Sequence, residues 1–151
     1  MKFKVFPDPG KLPTLPPPNV GERFSLSLPG LPPRKQRHRS CRNPKHPHYD
    51  RFVLLREAAT NAMRGRQWFL GTVGLDLLMF GPERLHWLVA NEYIGGIMDT
   101  LGGCHGTSFT YLPVVYQDDC QVISMSTNFQ IESSPRYTLD VSFIQSQAHP
   151  S

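Results

Sequence analysis

Eleven of the fifteen prolines in this 151-residue chain fall before residue 48. Proline fixes φ and carries no amide donor, so it is excluded from helix interiors and central strands. The fold must therefore be built mainly from the remaining two thirds. Residues 1–20 hold Pro7, Pro9, Pro13 and the run Pro16-Pro17-Pro18. They are expected to form a flexible or polyproline arm, either a plain tail or a docking segment for a protein partner.

The charge divides along the same line. Residues 1–66 contain 14 Lys and Arg against 4 Asp and Glu, whereas residues 67–151 contain 2 against 8. A polyanion suits the first part, because cationic side chains gain affinity by displacing counterions from phosphates. An acidic second part suits a metal or a general base. A dipolar protein whose two parts neutralise each other accounts for the same numbers.

Secondary structure follows from periodicity. RFSLSLP alternates Phe24, Leu26 and Leu28 with serines and predicts a half-buried strand. From Arg34 the chain reads RKQRHRSCRNPKHPHY, six Lys and Arg with no acid before Asp50. Such a stretch is expected to be an exposed loop outside the core. Asp50 is the expected N-cap of a helix reaching about Arg64, with Phe52, Leu55, Ala59, Ala62 and Met63 inward and Gly65 as its stop. Residues 72–80, TVGLDLLMF, predict a central strand. Asn91 to Leu101 predicts a second helix, interrupted by Gly95-Gly96, which implies close packing or a place once held by larger side chains. Residues 104–115 read as a loop, 121–126 as a strand, and Arg136 to Ile144 as a clear alternating strand. The expected fold class is α/β of the α+β kind: a single mixed β-sheet with two main helices packed on one face. The domain should cover residues 21–145, with 146–151 a frayed tail.

Three cysteines without a CxxC pair point to a reducing, cytoplasmic setting rather than a disulfide scaffold. The start MKFKVFPDPG lacks a signal-peptide core, and no apolar run nears the ~20 residues of a membrane helix. Cys41, His46 and His48, with Cys104, His105 and Cys120 elsewhere, offer zinc-ligand chemistry, but their spacing is not that of a finger. In a basic loop, phosphate contact or solvation accounts for the histidines better. Trp68 and Trp87 read as core or dimer-interface residues.

The sharpest chemical clue is Asp118-Asp119, directly before an apolar strand. Clustered carboxylates can hold magnesium, and a metal so held activates water beside a phosphate. Paired aspartates also make ordinary turns.

Three stretches together resemble the RusA family of Holliday junction resolvases, over about residues 23–144. They are FSLSLPGLPPRKQRHR, a strand followed by a proline pair and a basic loop; Val89-Ala90-Asn91-Glu92-Tyr93-Ile94 continuing to Asp99-Thr100-Leu101; and Asp118-Asp119-Cys120-Gln121-Val122, which matches best. The resemblance implies a homodimer that binds branched DNA in recombination and repair. It further implies cleavage by magnesium on three aspartates aided by a lysine. Asp119 stands at the third aspartate, Val89 and Asn91 at the first two, and Gly95 at the lysine. Valine binds no metal and asparagine offers one neutral oxygen, so cleavage is expected to be weak or lost. Asp119, Asn91 and Glu92 are the expected catalytic set, with Asp119 and Asp118 on the metal. Arg34, Lys35, Arg37, Arg39, Arg42 and Lys45 are the expected nucleic-acid contacts. A shifted carboxylate set in an active nuclease, and a non-catalytic adaptor using this fold as a scaffold, are the competing expectations.

Overall fold

A computed structural model describes residues 13–35, 41–83, 87–102 and 112–146. The elements, in chain order, are β1 (Arg23–Pro29), α1 (Tyr49–Met63), β2 (Thr72–Gly81), α2 (Trp87–Leu101), β3 (Val122–Ile131) and β4 (Arg136–Gln145). The four strands make one mixed sheet in the order β1-β4-β2-β3. β1 and β2 each run antiparallel to β4, while β2 and β3 run parallel. The parallel pair needs a crossover, and α2 supplies it. The expected α+β architecture with one mixed sheet and two helices is what is observed.

Alternation sets the two faces of the sheet. Val73, Leu75, Leu77 and Met79 of β2 and Tyr137, Leu139, Val141 and Phe143 of β4 are buried. They share one core cluster with Leu55, Ala59 and Met63 of α1 and Tyr93, Ile97 and Leu101 of α2. The other face is mostly polar, with Phe80 buried on it beneath the Arg136 guanidinium. Asp76 of β2 lies opposite Asp140 of β4, and Ser126 and Ser25 donate to those two carboxylates. The hydroxyls offset the repulsion of like charges paired across strands.

Local readings differ in three places. The N-cap of α1 is His48, not Asp50, and it makes no side-chain capping bond. Asp50 lies in the first turn, where a carboxylate still favours the positive end of the helix dipole. Arg64, in the left-handed region at φ 55°, closes α1 ahead of Gly65. α2 begins at Trp87, one turn before Asn91, and β3 runs on to Ile131.

Residues 13–20 lie within the expected flexible arm, yet they are tied to the end of α1. Thr14 and Leu15 donate backbone hydrogen bonds to the Gly65 carbonyl at 3.0 Å, and Gln67 donates to that of Leu15 at 2.9 Å. Residues 1–12 and 147–151 lie outside the described residues, as does most of the 104–115 loop. Among the described residues no helix is long and apolar enough to cross a membrane.

Candidate nucleic-acid interface

The basic stretch leaves β1 through buried Pro32 and Pro33 and crosses α2 at the glycine pair. A Cβ on Gly96 would sit 2.0 Å from the Pro33 carbonyl oxygen, so only glycine admits the crossing. This is the close packing that the glycines implied. Lys35 then donates its backbone N–H to the Glu92 carbonyl at 2.9 Å. Arg34 pairs through Nε with the Glu92 carboxylate and stands 5.9 Å from the Tyr93 ring centroid. The Lys35 stem lies over Gly95, where a Cβ would come within 3.0 Å of its Cδ. Its ammonium reaches 3.8 Å from Asp99 and its side chain is 57% exposed. At the position where the resemblance calls for a lysine, a lysine from another segment thus fills the space.

The stretch is not exposed throughout, contrary to expectation. Cys41 is fully buried against Phe52, and His46 is buried. Density of charge hid two side chains small or flat enough to be buried. Burial, with Asp99 adding, pushes the Cys41 thiol up to about 12, which makes it a poor nucleophile or metal ligand. His46 accepts the His48 N–H on Nδ1 at 3.0 Å. Burial first, then Arg51, lowers the His48 pKa below the usual histidine range, favouring the neutral ring. Arg37 and Arg39 lie outside the described residues, as do Cys104 and His105. Lys45 is exposed, and its backbone N–H closes a local turn onto Asn43 Oδ1 at 2.9 Å.

Arg42 serves the end of α2. The last four carbonyls of an α-helix have no partner within it. Here each receives a donor from elsewhere. Tyr116 Oη donates to Met98 O at 2.9 Å. Arg42 donates to Asp99 O through Nη2 at 2.8 Å and Nε at 3.2 Å. Arg56, 1% exposed, donates to Thr100 O at 3.2 Å and also to Leu112 O. The Val114 and Val115 amides donate to Leu101 O at 3.2 and 3.0 Å. Two guanidinium groups therefore meet the negative end of the helix dipole. Arg56 is a functional neighbour that its sequence position, amid apolar helix residues, did not reveal.

The turn carrying the acidic pair is satisfied mostly within itself. Asp118 accepts the Cys120 N–H on Oδ1 at 3.0 Å. Gln121 accepts from the Gln117 and Asp118 amides and donates to the Phe69 and Gly71 carbonyls, at 2.8–3.0 Å. Those four bonds use the whole capacity of its amide and fasten the turn to the entry of β2. Asp119 is exposed, and its Oδ1 lies 3.7 Å from where a Cβ on Gly102 would be. Burial raises the Asp99 pKa above the ordinary aspartate range; Arg42 and Lys35 oppose this, and Asp119 adds to it. Burial likewise raises Tyr116, with Asp119 and Asp99 adding.

The structure thus brings Asp119 to Asp99 and not to the other expected catalytic residues. Asn91 and Glu92 lie about 10–12 Å from Asp99 along α2, at about 1.5 Å rise per residue. Glu92 is engaged by Arg34, Asp118 caps its own turn, and Asp99 faces Arg42 and Lys35. Among the described residues no three His, Cys, Asp or Glu side chains group to hold a metal ion. Among the described residues the donor set does not fit magnesium. Trp68 is half-buried rather than core, and it lines a cavity of about 290 Å³ with Pro13, Met63, Arg64 and Pro113. The chain matches no protein-family model, and no curated protein matches it.

Proposed function

We propose that the chain is a RusA-like DNA-binding protein that engages branched DNA as a homodimer, with magnesium-dependent cleavage weak or lost. The observation that carries this reading is the way the basic stretch is fastened to α2. The Gly96 crossing and the Lys35 amide fix the backbone at residues 33–35, and the Arg42 side chain anchors that residue to the end of α2. Lys35 and Lys45 then face solvent from a set frame, which suits phosphate contact. Arg34 and Arg42 hold that frame and contribute charge second. The dispersed carboxylates support loss of cleavage, since among the described residues Asp119 stands near Asp99 and its neighbour Asp118, and Asp118 caps its own turn. Free Cys41 and Cys120 suit a cytoplasmic location.

A gel shift with a four-way junction tests the reading. The junction should be preferred over plain duplex, with no nicking in magnesium. Lys35→Ala/Lys45→Ala should weaken binding and lower the salt slope by about 2. Equal affinity for duplex and junction sinks the reading.

The cavity beside Pro13 favours a second reading, a non-catalytic subunit whose proline-rich arm docks a partner. Deleting residues 1–12 should then abolish partner binding and spare DNA binding.

A further inference from the structure

The two outer strands of the sheet are finished differently. β1 has seven residues, starts with Arg23 and ends at Pro29, features that discourage a further strand. β3 has ten, VISMSTNFQI, with no charge, proline or glycine. One side of β3 pairs with β2, and among the described residues no strand pairs with the other. Unpaired backbone groups along an uncharged strand form a template for another.

The side chains of β3 say which strand fits. Outward from Thr127 the pattern is the same in both directions: Ser126 and Asn128, Met125 and Phe129, Ser124 and Gln130, Ile123 and Ile131. Polar answers polar and apolar answers apolar at every step. A two-fold axis through Thr127, normal to the sheet, sets each residue opposite its counterpart on an antiparallel copy. Directly opposed pairs of this kind are what stabilise a sheet, and such a contact is closed and self-complementary.

A further observation points to a second copy. Ile123 and Ile131 are 58% and 65% exposed, and the axis brings the Ile123 of one copy to the Ile131 of the other. The register of β3 on β2 is regular from Ser124 to Ile131 and shifts between Val122 and Ser124, where Ile123 is the extra residue, so the pairing surface is straight from Ser124 and Ile123 stands at its rim.

We infer that two copies of this chain join edge to edge through β3, antiparallel about Thr127, into one eight-stranded sheet with all four helices on the same side. The inference rests on the homodimer element of the proposed function and gives it an interface. It places both basic stretches on the helical side of one sheet.

Sedimentation velocity of the full chain tests it. A dimer of the 17.1 kDa chain is expected. Ile123→Glu alone or Ile131→Lys alone should raise the dimer Kd about tenfold or more. The double variant I123E/I131K should restore the dimer, because each glutamate then faces the partner's lysine. Both side chains are exposed in the single copy, so circular dichroism should show all variants folded. A wild type that stays monomeric overturns the inference. So does a dimer insensitive to Ile123→Glu, a double variant no better than either single one, or open-ended growth with concentration. Junction binding measured on the same samples separates the two ideas. A dimer as drawn that ignores junctions sinks the functional reading alone, and a junction-binding monomer sinks the interface alone.

Discussion

The two ends of α2 are built on opposite plans. At the C-terminal end every carbonyl from Met98 to Leu101 has a donor brought in from a distant segment, Met98 in addition to the local Gly102 amide. Toward the N-terminal end, Asn91 is exposed, and the neighbouring Glu92 is held by Arg34 and the Lys35 amide. The positions the resemblance gives to chemistry, Val89 and Asn91, lie in the lightly held half. The acidic pair Asp99 and Asp119 lies at the heavily held end. Charge counted along the sequence does not separate these situations. A guanidinium spent on helix carbonyls serves the fold, whereas an ammonium left at the surface is available to a ligand.

Substitutions sharpen that contrast. The largest effect is expected at Gly96→Ala. The added carbon meets the Pro33 backbone carbonyl, which has no rotamer to escape by, and overpacking of this kind costs about 3 kcal/mol. Urea denaturation should show the loss, and junction binding should fall with it as the basic stretch is displaced. Next is Arg56→Met, which keeps the volume but leaves the Thr100 and Leu112 carbonyls without this donor. About 2–3 kcal/mol should go, at about 1–3 for each unsatisfied buried group with partial relaxation. An unchanged melting midpoint would break the view that the heavily held end governs stability. Asp118→Ala removes one cap and should cost about 1 kcal/mol, without altering the contacts around Asp99.

The smallest effect is a titration. The folded pKa of Asp99 stands above its unfolded value. The stabilisation of its neutral form is therefore complete below about pH 4, the ordinary aspartate value, and is lost as pH rises through the raised value. Arg42→Ala removes the stronger of the two opposing charges, so the Asp99 pKa should climb further. Carbon-13 NMR of the carboxyl would read the shift, and a shift downward would mean that Arg42 does not face it.

The strands were legible because their information is local. RFSLSLP and RYTLDVSFIQ alternate, and TVGLDLLMF is a nearly continuous apolar run; both patterns state burial directly. The sequence reading of α2 found its buried stripe but began it at Asn91, because the capping chemistry that marks a helix start is absent from GPERLHW. Cys41 and His46 were missed because the surrounding charges dominate any window average. The use of Arg42 and Arg56 as helix caps was not readable, since their acceptors lie 57 and 44 residues away. The separation of Asp119 from Asn91 is likewise a matter of where the turn after Tyr116 lands on α2. The local motif leaves that undetermined.

The fully donated end of α2 has a consequence for how the molecule comes apart. A helix whose last turn bonds only to itself and to water can fray residue by residue. This one cannot release its final carbonyls without detaching the Arg42 segment, the middle of α1 and the 114–116 segment together. Fluctuations that elsewhere would be local become joint events here. Amide protons around residues 98–102 should then exchange with solvent only at the rate at which the whole domain opens.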